Sequence, residues 1–237
     1  MLKFWKFLNE LYGWLLILVS LFIILIGCWQ VYDNYYTFYH TIDDKIVMYK
    51  PKPDAPPEEQ AATPITDEMV GWITVNGTSI DYPVMQGETN SHFLNTDPFG
   101  HYSLSGSIFL DSRCSGDFSD AYSVIYGHHM DYGKMFGALD AFLDAPYLRT
   151  HSSGTLIVGR NAEKTYSLKI FAAMRVNARD KVVFDIKQDE IRQYIHDRAD
   201  ILTAEKDERI LALSTCADAD SMTRIVVFCY ILPSIAK

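Results

Sequence analysis

Ile210-Leu211-Ala212-Leu213-Ser214-Thr215-Cys216-Ala217-Asp218-Ala219-Asp220-Ser221-Met222-Thr223-Arg224-Ile225-Val226-Val227-Phe228-Cys229-Tyr230 holds the two features that decide how this 237-residue chain is read. Residues 210–214 and 224–230 are apolar runs rich in β-branched and aromatic side chains, which suit a pleated, buried surface. The residues between them are small, acidic or polar, as in a loop. Cys216 ends the first run and Arg224 opens the second. Their spacing of eight suits a loop that returns the chain antiparallel and sets a guanidinium beside a thiol. A thiol at a strand's end can meet a substrate while the strand holds it rigid.

The same texture extends upstream. Trp72-Ile73-Thr74-Val75 and Ser79-Ile80-Asp81-Tyr82 flank Asn76-Gly77, a hairpin signal. Ser107-Ile108-Phe109-Leu110 and Tyr122-Ser123-Val124-Ile125-Tyr126 are further short strands. Leu156-Ile157-Val158 and residues 166–171 read as another pair. Ile191, Tyr194 and Ile195 carry helical spacing within a polar segment at 187–199. Many short strands with few helices predict a mostly β fold, a barrel or a sandwich.

A nucleophilic cysteine needs help, because an ordinary thiol with a pKa of about 8.5 is only a few per cent thiolate at neutral pH. An imidazole nearby can take or return its proton. Of the four cysteines, Cys229 sits mid-strand and reads as core, Cys114 sits in a polar loop, and Cys28 lies in an apolar N-terminal run. That leaves Cys216 as the candidate nucleophile. Among the seven histidines, His128-His129 stands out, because it follows the strand at residues 122–126 and Gly127. Neighbours on an extended chain point opposite ways, so one of the two faces the thiol. Arg224 stays charged and offers several donors, enough to stabilise an oxyanion or hold a substrate backbone.

Composition narrows the setting. The net charge of -9 argues against nucleic acid as a partner, since phosphate binding needs clustered Lys and Arg. No CxxC pair or zinc-type Cys/His spacing is present, and no nucleotide motif is visible, so no cofactor is expected. Between Glu10 and Asp33 no residue is charged, and residues 14–26 are almost wholly apolar. A helix of about 22 residues spans roughly 33 Å, enough for a hydrocarbon core, with Trp14 and Trp29 towards its ends. Lys3 and Lys6 precede it, and Asp33, Asp43 and Asp44 follow it, so the positive-inside rule keeps the N-terminus in the cytoplasm. A cleaved signal peptide is the alternative, and Leu25-Ile26-Gly27-Cys28 resembles a lipobox. The expected organisation is a short cytoplasmic segment at 1–10, a single-pass transmembrane anchor at 11–32 and a stalk with a Pro-rich linker at 33–65. A catalytic domain at 66–237 follows, outside the cell membrane. Tyr35, Tyr39, Ile42, Ile46 and Tyr49 give the stalk helical spacing, and the prolines of residues 51–59 give it an extended end.

Together these residues resemble the sortase family, its class B most closely. The family's Cys motif, TLxTC, matches Leu213-Ser214-Thr215-Cys216, with Ala212 departing from the usual Thr. Its His motif matches Tyr126-Gly127-His128-His129-Met130, and the first His is the family's catalytic one. The family's Arg opens the strand after the Cys loop, as Arg224 does. Gly71-Trp72-Ile73 through Val84 and residues 106–111 also look like class B. The match runs from about residue 66 onwards. Residues 217–223 depart from the aromatic-acidic stretch many class B members carry there.

The resemblance implies a closed β-barrel with added helices and an N-terminal transmembrane helix, of the kind found in Gram-positive bacteria. It implies a two-step transpeptidation with His128, Cys216 and Arg224 as the catalytic residues. Ser214 and Thr215 would be substrate contacts. The donor would be a secreted protein bearing a C-terminal sorting motif, and the acceptor an amine of a peptidoglycan precursor or a pilin lysine. Taken without the resemblance, the residues also fit a secreted cysteine hydrolase, in which water resolves the thioester, or a non-catalytic, membrane-tethered interaction domain.

Overall fold

The computed structural model describes residues 1–39, 44–53, 63–186, 190–216 and 222–233. The chain divides into two compact units, Met1–Asp43 and Asp44–Lys237.

The first unit is helix α1, Leu2–Tyr39. It runs past both ends of the expected 11–32 segment, because residues 2–39 contain no proline and only isolated glycines to interrupt it. Within its portion Leu2–Asp33, the most apolar window of 18 residues has a mean hydropathy of 2.6. At about 1.5 Å per residue this portion exceeds the roughly 30 Å of a hydrocarbon core. It is long and apolar enough to cross a membrane. Ile42 and the prolines at 56 and 57 lie outside the described residues.

The second unit starts ahead of the boundary read at Thr66. A 3-10 turn at Asp44–Tyr49 buries Ile46, and the Lys50 ammonium donates to Asp81 Oδ1 at 2.7 Å. Residues that composition assigns to the stalk therefore pack on this unit.

Nine strands form one sheet: β1 Met69–Val75, β2 Asp81–Met85, β3 Ile108–Leu110, β4 Tyr122–His128, β5 Ser153–Val158, β6 Lys164–Asn177, β7 Ile201–Leu202, β8 Arg209–Cys216 and β9 Thr223–Pro233. Their order is β5-β1-β2-β3-β4-β8-β9-β6-β7, and β5 also pairs with β6. The first eight in that order thus close into a barrel, which leaves no open edge among them. Strand β6 closes the ring against β5 with residues 164–169. A register shift between Ile170 and Ala172 on its β9 side then precedes the stretch where β6 takes up β7. The pairs β2–β3 and β4–β8 are parallel; every other pair is antiparallel.

The long apolar runs read from the sequence become strands because both sheet faces are covered. Residues Tyr122–Gly127 of β4 are all buried, the pattern of a central strand. Trp72, Phe93, Phe118, Phe136, Phe142 and Phe228 are the largest fully buried side chains. Short helices α2 Ala145–Thr150, α3 Lys181–Phe184 and α4 Ile191–Arg198 decorate the barrel. The hairpin at Asn76-Gly77 is wider than its dipeptide suggests: Ser79 and Ile80 belong to the connection. The Thr78 hydroxyl donates to Val75 O and accepts from Ile80 N, while Val75 N bonds to Ile80 O. This local hydrogen bonding holds residues 76–80 as a compact five-residue turn.

One carboxylate oxygen joins this hairpin to Lys50. Asp81 Oδ1 accepts from the Trp72 indole at 2.7 Å, the Thr74 hydroxyl at 2.8 Å and Lys50. Trp72 is fully buried, so removing its acceptor leaves a desolvated N–H without a partner. Asp81→Ala is expected to lower unfolding free energy by about 1–3 kcal/mol, measured by urea denaturation. An unchanged midpoint would show that the indole finds another acceptor.

Candidate active site

Strand β4 ends on Gly127-His128, and β8 ends on Thr215-Cys216. They pair in parallel from Tyr122↔Ile210 through Tyr126↔Ser214 and Gly127↔Thr215 to His128↔Cys216. Parallel strands arrive at the same end of a sheet, and neighbours lie about 4.8 Å apart. The backbones of His128 and Cys216 are therefore level and adjacent, although 88 positions separate them in the chain. Gly127 permits this close packing, because a Cβ there would collide with the Ile108 and Phe136 side chains.

Strand β9 returns antiparallel, with Ser214 opposite Val226. The Thr215 hydroxyl carries the pairing one step further, accepting from Ile225 N at 3.1 Å. Continued by one more residue, this register sets Arg224 level with Cys216. Arg224 Nη1 donates to Thr215 O at 3.2 Å. Its guanidinium carbon lies 5.5 Å from the centre of the Phe184 ring. Its Nε is buried and has no hydrogen-bond partner among the described residues.

The two histidines part company. His128 Nε2 lies 2.8 Å from Leu94 O. A carbonyl only accepts, so Nε2 carries the proton and, in the neutral ring, Nδ1 is the nitrogen that can accept one. Leu94 ends a 3-10 turn, His92–Leu94, anchored by the buried Phe93. Gly106, at φ +55°, packs directly on this turn, where a Cβ would overlap the carbonyl oxygens of Phe93 and Leu94. The ring of His129 instead bonds to Asp140 Oδ2 at 2.8 Å, in the 3-10 segment Gly137–Leu143. Ser214 is fully buried, and its hydroxyl donates to Thr215 O at 3.1 Å.

The other described thiols stand apart. Cys114 and Cys229 are buried. Burial pushes the Cys114 thiol up to about 11, helped by the negative Asp111 and Asp120, and raises Cys229 further still. Cys28 is exposed on α1. Among the described residues, no group of three or more His, Cys, Asp and Glu side chains is arranged to hold a metal ion. A cavity of about 380 Å³ lined by Phe171, Ile195, His196, Ile210 and Tyr230 opens at the start of β8. Six residues of strand, roughly 20 Å, separate it from Cys216, so it belongs to a different part of the barrel.

Sequence reasoning missed a polar cluster beside the site. Asp111 follows β3, is fully buried, and accepts from Asn90, Arg113 and Tyr126. Its signal was an acidic residue closing the apolar run 107–110 with an arginine two positions on. Burial alone would raise its carboxyl, but the hydrogen bonds and charge of Arg113 outweigh this and hold it below the usual carboxylate range. Tyr126 is pushed well above the ordinary phenol value, first by burial and then by Asp111.

Known proteins of one family resemble this chain in sequence and fold. A sortase domain model matches residues 73–232. Sortase B of Staphylococcus aureus (strain NCTC 8325 / PS 47) is 33% identical over 199 residues, covering 79% of this chain and 80% of that protein. A Streptococcus pyogenes class B sortase involved in pilus biogenesis superposes with a TM-score of 0.63 at 35% identity, covering 69% of this chain and 92% of the other. A Staphylococcus aureus sortase B–substrate complex gives 0.63 at 31%, covering 71% and 82%. A family model that spans more than half the chain, and a relative at this identity and coverage, are decisive: the chain belongs to the sortase family of cysteine transpeptidases, among its class B members.

Proposed function

We propose that Cys216 is the nucleophile of this sortase, His128 its acid and base, and Arg224 the donor that stabilises the oxyanion. The observation that carries the reading is the parallel register that sets His128 and Cys216 level. In the first step the Cys216 thiol gives its proton to His128 Nδ1, its sulfur attacks a backbone carbonyl carbon within a sorting motif, and the carbonyl electron pair moves onto oxygen. Arg224 is proposed to meet that negative oxygen with the N–H donors of its guanidinium. Collapse of the intermediate breaks the C–N bond, and the leaving amine takes a proton from Nδ1 of the protonated His128. A thioacyl-enzyme remains. An incoming amine then gives its proton to Nδ1 and attacks the thioester carbon, and the thiolate departs.

Ser214, level with Tyr126 on the adjacent strand, is the proposed substrate contact. Thr215 is proposed to act on the substrate through Arg224, which its carbonyl holds. The donor is a secreted protein carrying a C-terminal sorting motif. The acceptor is an amine, from a cell-wall peptide or from a pilin lysine. The pilus-biogenesis relative and the unusual residues 217–223 after Cys216 favour testing the pilin amine first. Helix α1 is proposed as a single-pass anchor, with Lys3 and Lys6 on the cytoplasmic side and the barrel outside. Residues 33–43 then act as the stalk, and the catalytic domain extends to residue 237 from the packed segment that begins at Asp44, ahead of the boundary read at 66.

The full chain, mixed with a library of sorting-motif peptides, is expected to gain one acyl mass on Cys216 in intact-mass spectrometry. Cys216→Ala should gain none, and an adduct on that variant would overturn the assignment. Adding peptide amines that mimic the wall peptide or a pilin lysine should resolve the adduct into an amide; release only as free acid would make hydrolysis the activity.

The side chains differ in what their loss costs. His128→Ala is expected to lower kcat/KM by about 10²–10⁴-fold, the range for a positioned acid–base group, while His129→Ala changes it little. Arg224→Ala is expected to lower kcat by roughly 10²–10³-fold, as for loss of one oxyanion donor. Steady-state kinetics on a fluorogenic sorting peptide would read both, and equal losses at His128 and His129 would contradict the assignment.

A further inference from the structure

The buried Asp111 carboxylate is unusually well supplied with donors. Its oxygens accept from Asn90 Nδ2 at 2.9 Å, Arg113 N at 3.0 Å, Arg113 Nε at 2.9 Å, Arg113 Nη2 at 2.8 Å and the Tyr126 hydroxyl at 3.0 Å. Five donors satisfy a charge that burial would otherwise make costly. The Arg113 guanidinium does not stop there. Its Nη2 also donates to Phe184 O at 2.7 Å, and so bridges the end of β3 to the end of α3.

Helix α3 has only four residues, Lys181–Phe184, too few to hold itself together. Three external ties fix it. Asp180 caps its start, accepting from Val182 N and Val183 N. The buried Tyr122 hydroxyl donates to Val183 O at 2.7 Å, and Arg113 holds Phe184 O. With its carbonyl tied down, the Phe184 ring lies 5.5 Å from the Arg224 guanidinium carbon and 6.3 Å from the Tyr126 ring. Tyr126 is itself tied to Asp111. Both aromatic rings beside the site thus hang from one carboxylate.

We propose that Asp111 and Arg113 form a positioning unit that seats the Phe184 ring against Arg224, fixing the guanidinium where the oxyanion develops. This deepens the reading given above and rests on Arg224 acting in the chemical step. An arginine is needed at 113 because a planar fork can serve a carboxylate bidentately and a carbonyl at once, which a lysine cannot. An aromatic ring is needed at 184 because its π face attracts a cation while excluding water from one side of it.

The experiment uses the full chain and compares kcat, KM and thermal midpoint. Phe184→Leu keeps an apolar side chain and removes the π face. It is expected to lower kcat by roughly 2- to 30-fold, the span of a cation–π contact, with KM and the thermal midpoint nearly unchanged. Phe184→Trp is expected to restore kcat to within about 2-fold, because indole is the best cation–π partner. Arg113→Lys should reproduce the Phe184→Leu loss, and the double variant should lose no more than either alone, since both act on one contact. Arg224→Ala is measured alongside. If it retains full activity, the role of Arg224 is overturned and the positioning unit with it. If it loses activity while Phe184→Leu keeps kcat, or lowers only the thermal midpoint, the positioning unit alone is overturned. The Phe184 series decides the matter even where Arg113→Lys fails to fold.

Discussion

Everything about the site depends on the parallel pairing of β4 with β8. Antiparallel neighbours end at opposite sides of a sheet, whereas parallel neighbours end at the same side, which is why His128 and Cys216 stand level. Parallel pairing demands a long crossover. Here it runs from residue 129 to 208 and contains α2, β5, β6, α3, α4 and β7. Strand period is two, so a slip of one residue would turn every side chain to the other face and take His128 out of level. The register is held along its whole length: Ile210 N bonds to Ala121 O at the entry, β4 is buried on both faces, and only a glycine fits at 127. Each strand is also paired on its other side, β4 with β3 and β8 with β9, so neither has a free edge along which to slide.

Beside this register lie buried polar side chains, whose burial is costly unless they are hydrogen-bonded. Arg224 Nε and the Ser123 hydroxyl lack a partner among the described residues, whereas Asp111 is fully supplied. A half-satisfied carboxylate in its position would be worse than an apolar residue, but five donors make it rigid instead. Rigidity matters because an oxyanion donor works by being in place beforehand rather than by moving during the reaction. The crossover also supplies α3, whose single turn is held by Arg113 after β3, by Tyr122 of β4, by its own cap and by packing against α4. The long connection that parallel pairing requires therefore returns as one wall of the site.

Much of this was legible in the sequence, for identifiable reasons. Strands such as those read at 122–126 and 210–214 announce themselves because their apolar runs are buried on both faces, and the structure extends them to Tyr122–His128 and Arg209–Cys216. That the strands read at 156–158 and 166–171 form a pair followed from proximity along the chain, although the register sets 156–158 against 164–166, and Cys229 read correctly as core. What composition and periodicity left open was the barrel against the sandwich, since both use the same short strands, and the choice rests on β5 meeting β6 as well as β1. The strand period predicted that His128 and His129 would face apart. It had no means of choosing between them, because the discriminating partners, Leu94 O and Asp140, come from distant loops. Leu94 contributes only a backbone carbonyl, which no residue type advertises. Asp111 had a visible signal, but its meaning lay in Arg113 reaching Phe184, a contact across 71 positions.

That backbone carbonyl bears on the chemistry. Many acid–base histidines are oriented by a carboxylate, which fixes the tautomer and also stabilises the imidazolium. Here the partner of Nε2 is neutral. Leu94 O selects the tautomer by geometry alone, which leaves Nδ1 to pass a proton to the departing amine and to take one from the incoming amine in the proposed cycle. The neutral acceptor must then be placed by packing rather than by attraction between charges. Gly106 meets that need: its missing Cβ and its positive φ let the chain before β3 press directly on the turn that ends at Leu94. A side chain at 106 would displace the carbonyl, and with it the one contact among the described residues that orients the His128 ring.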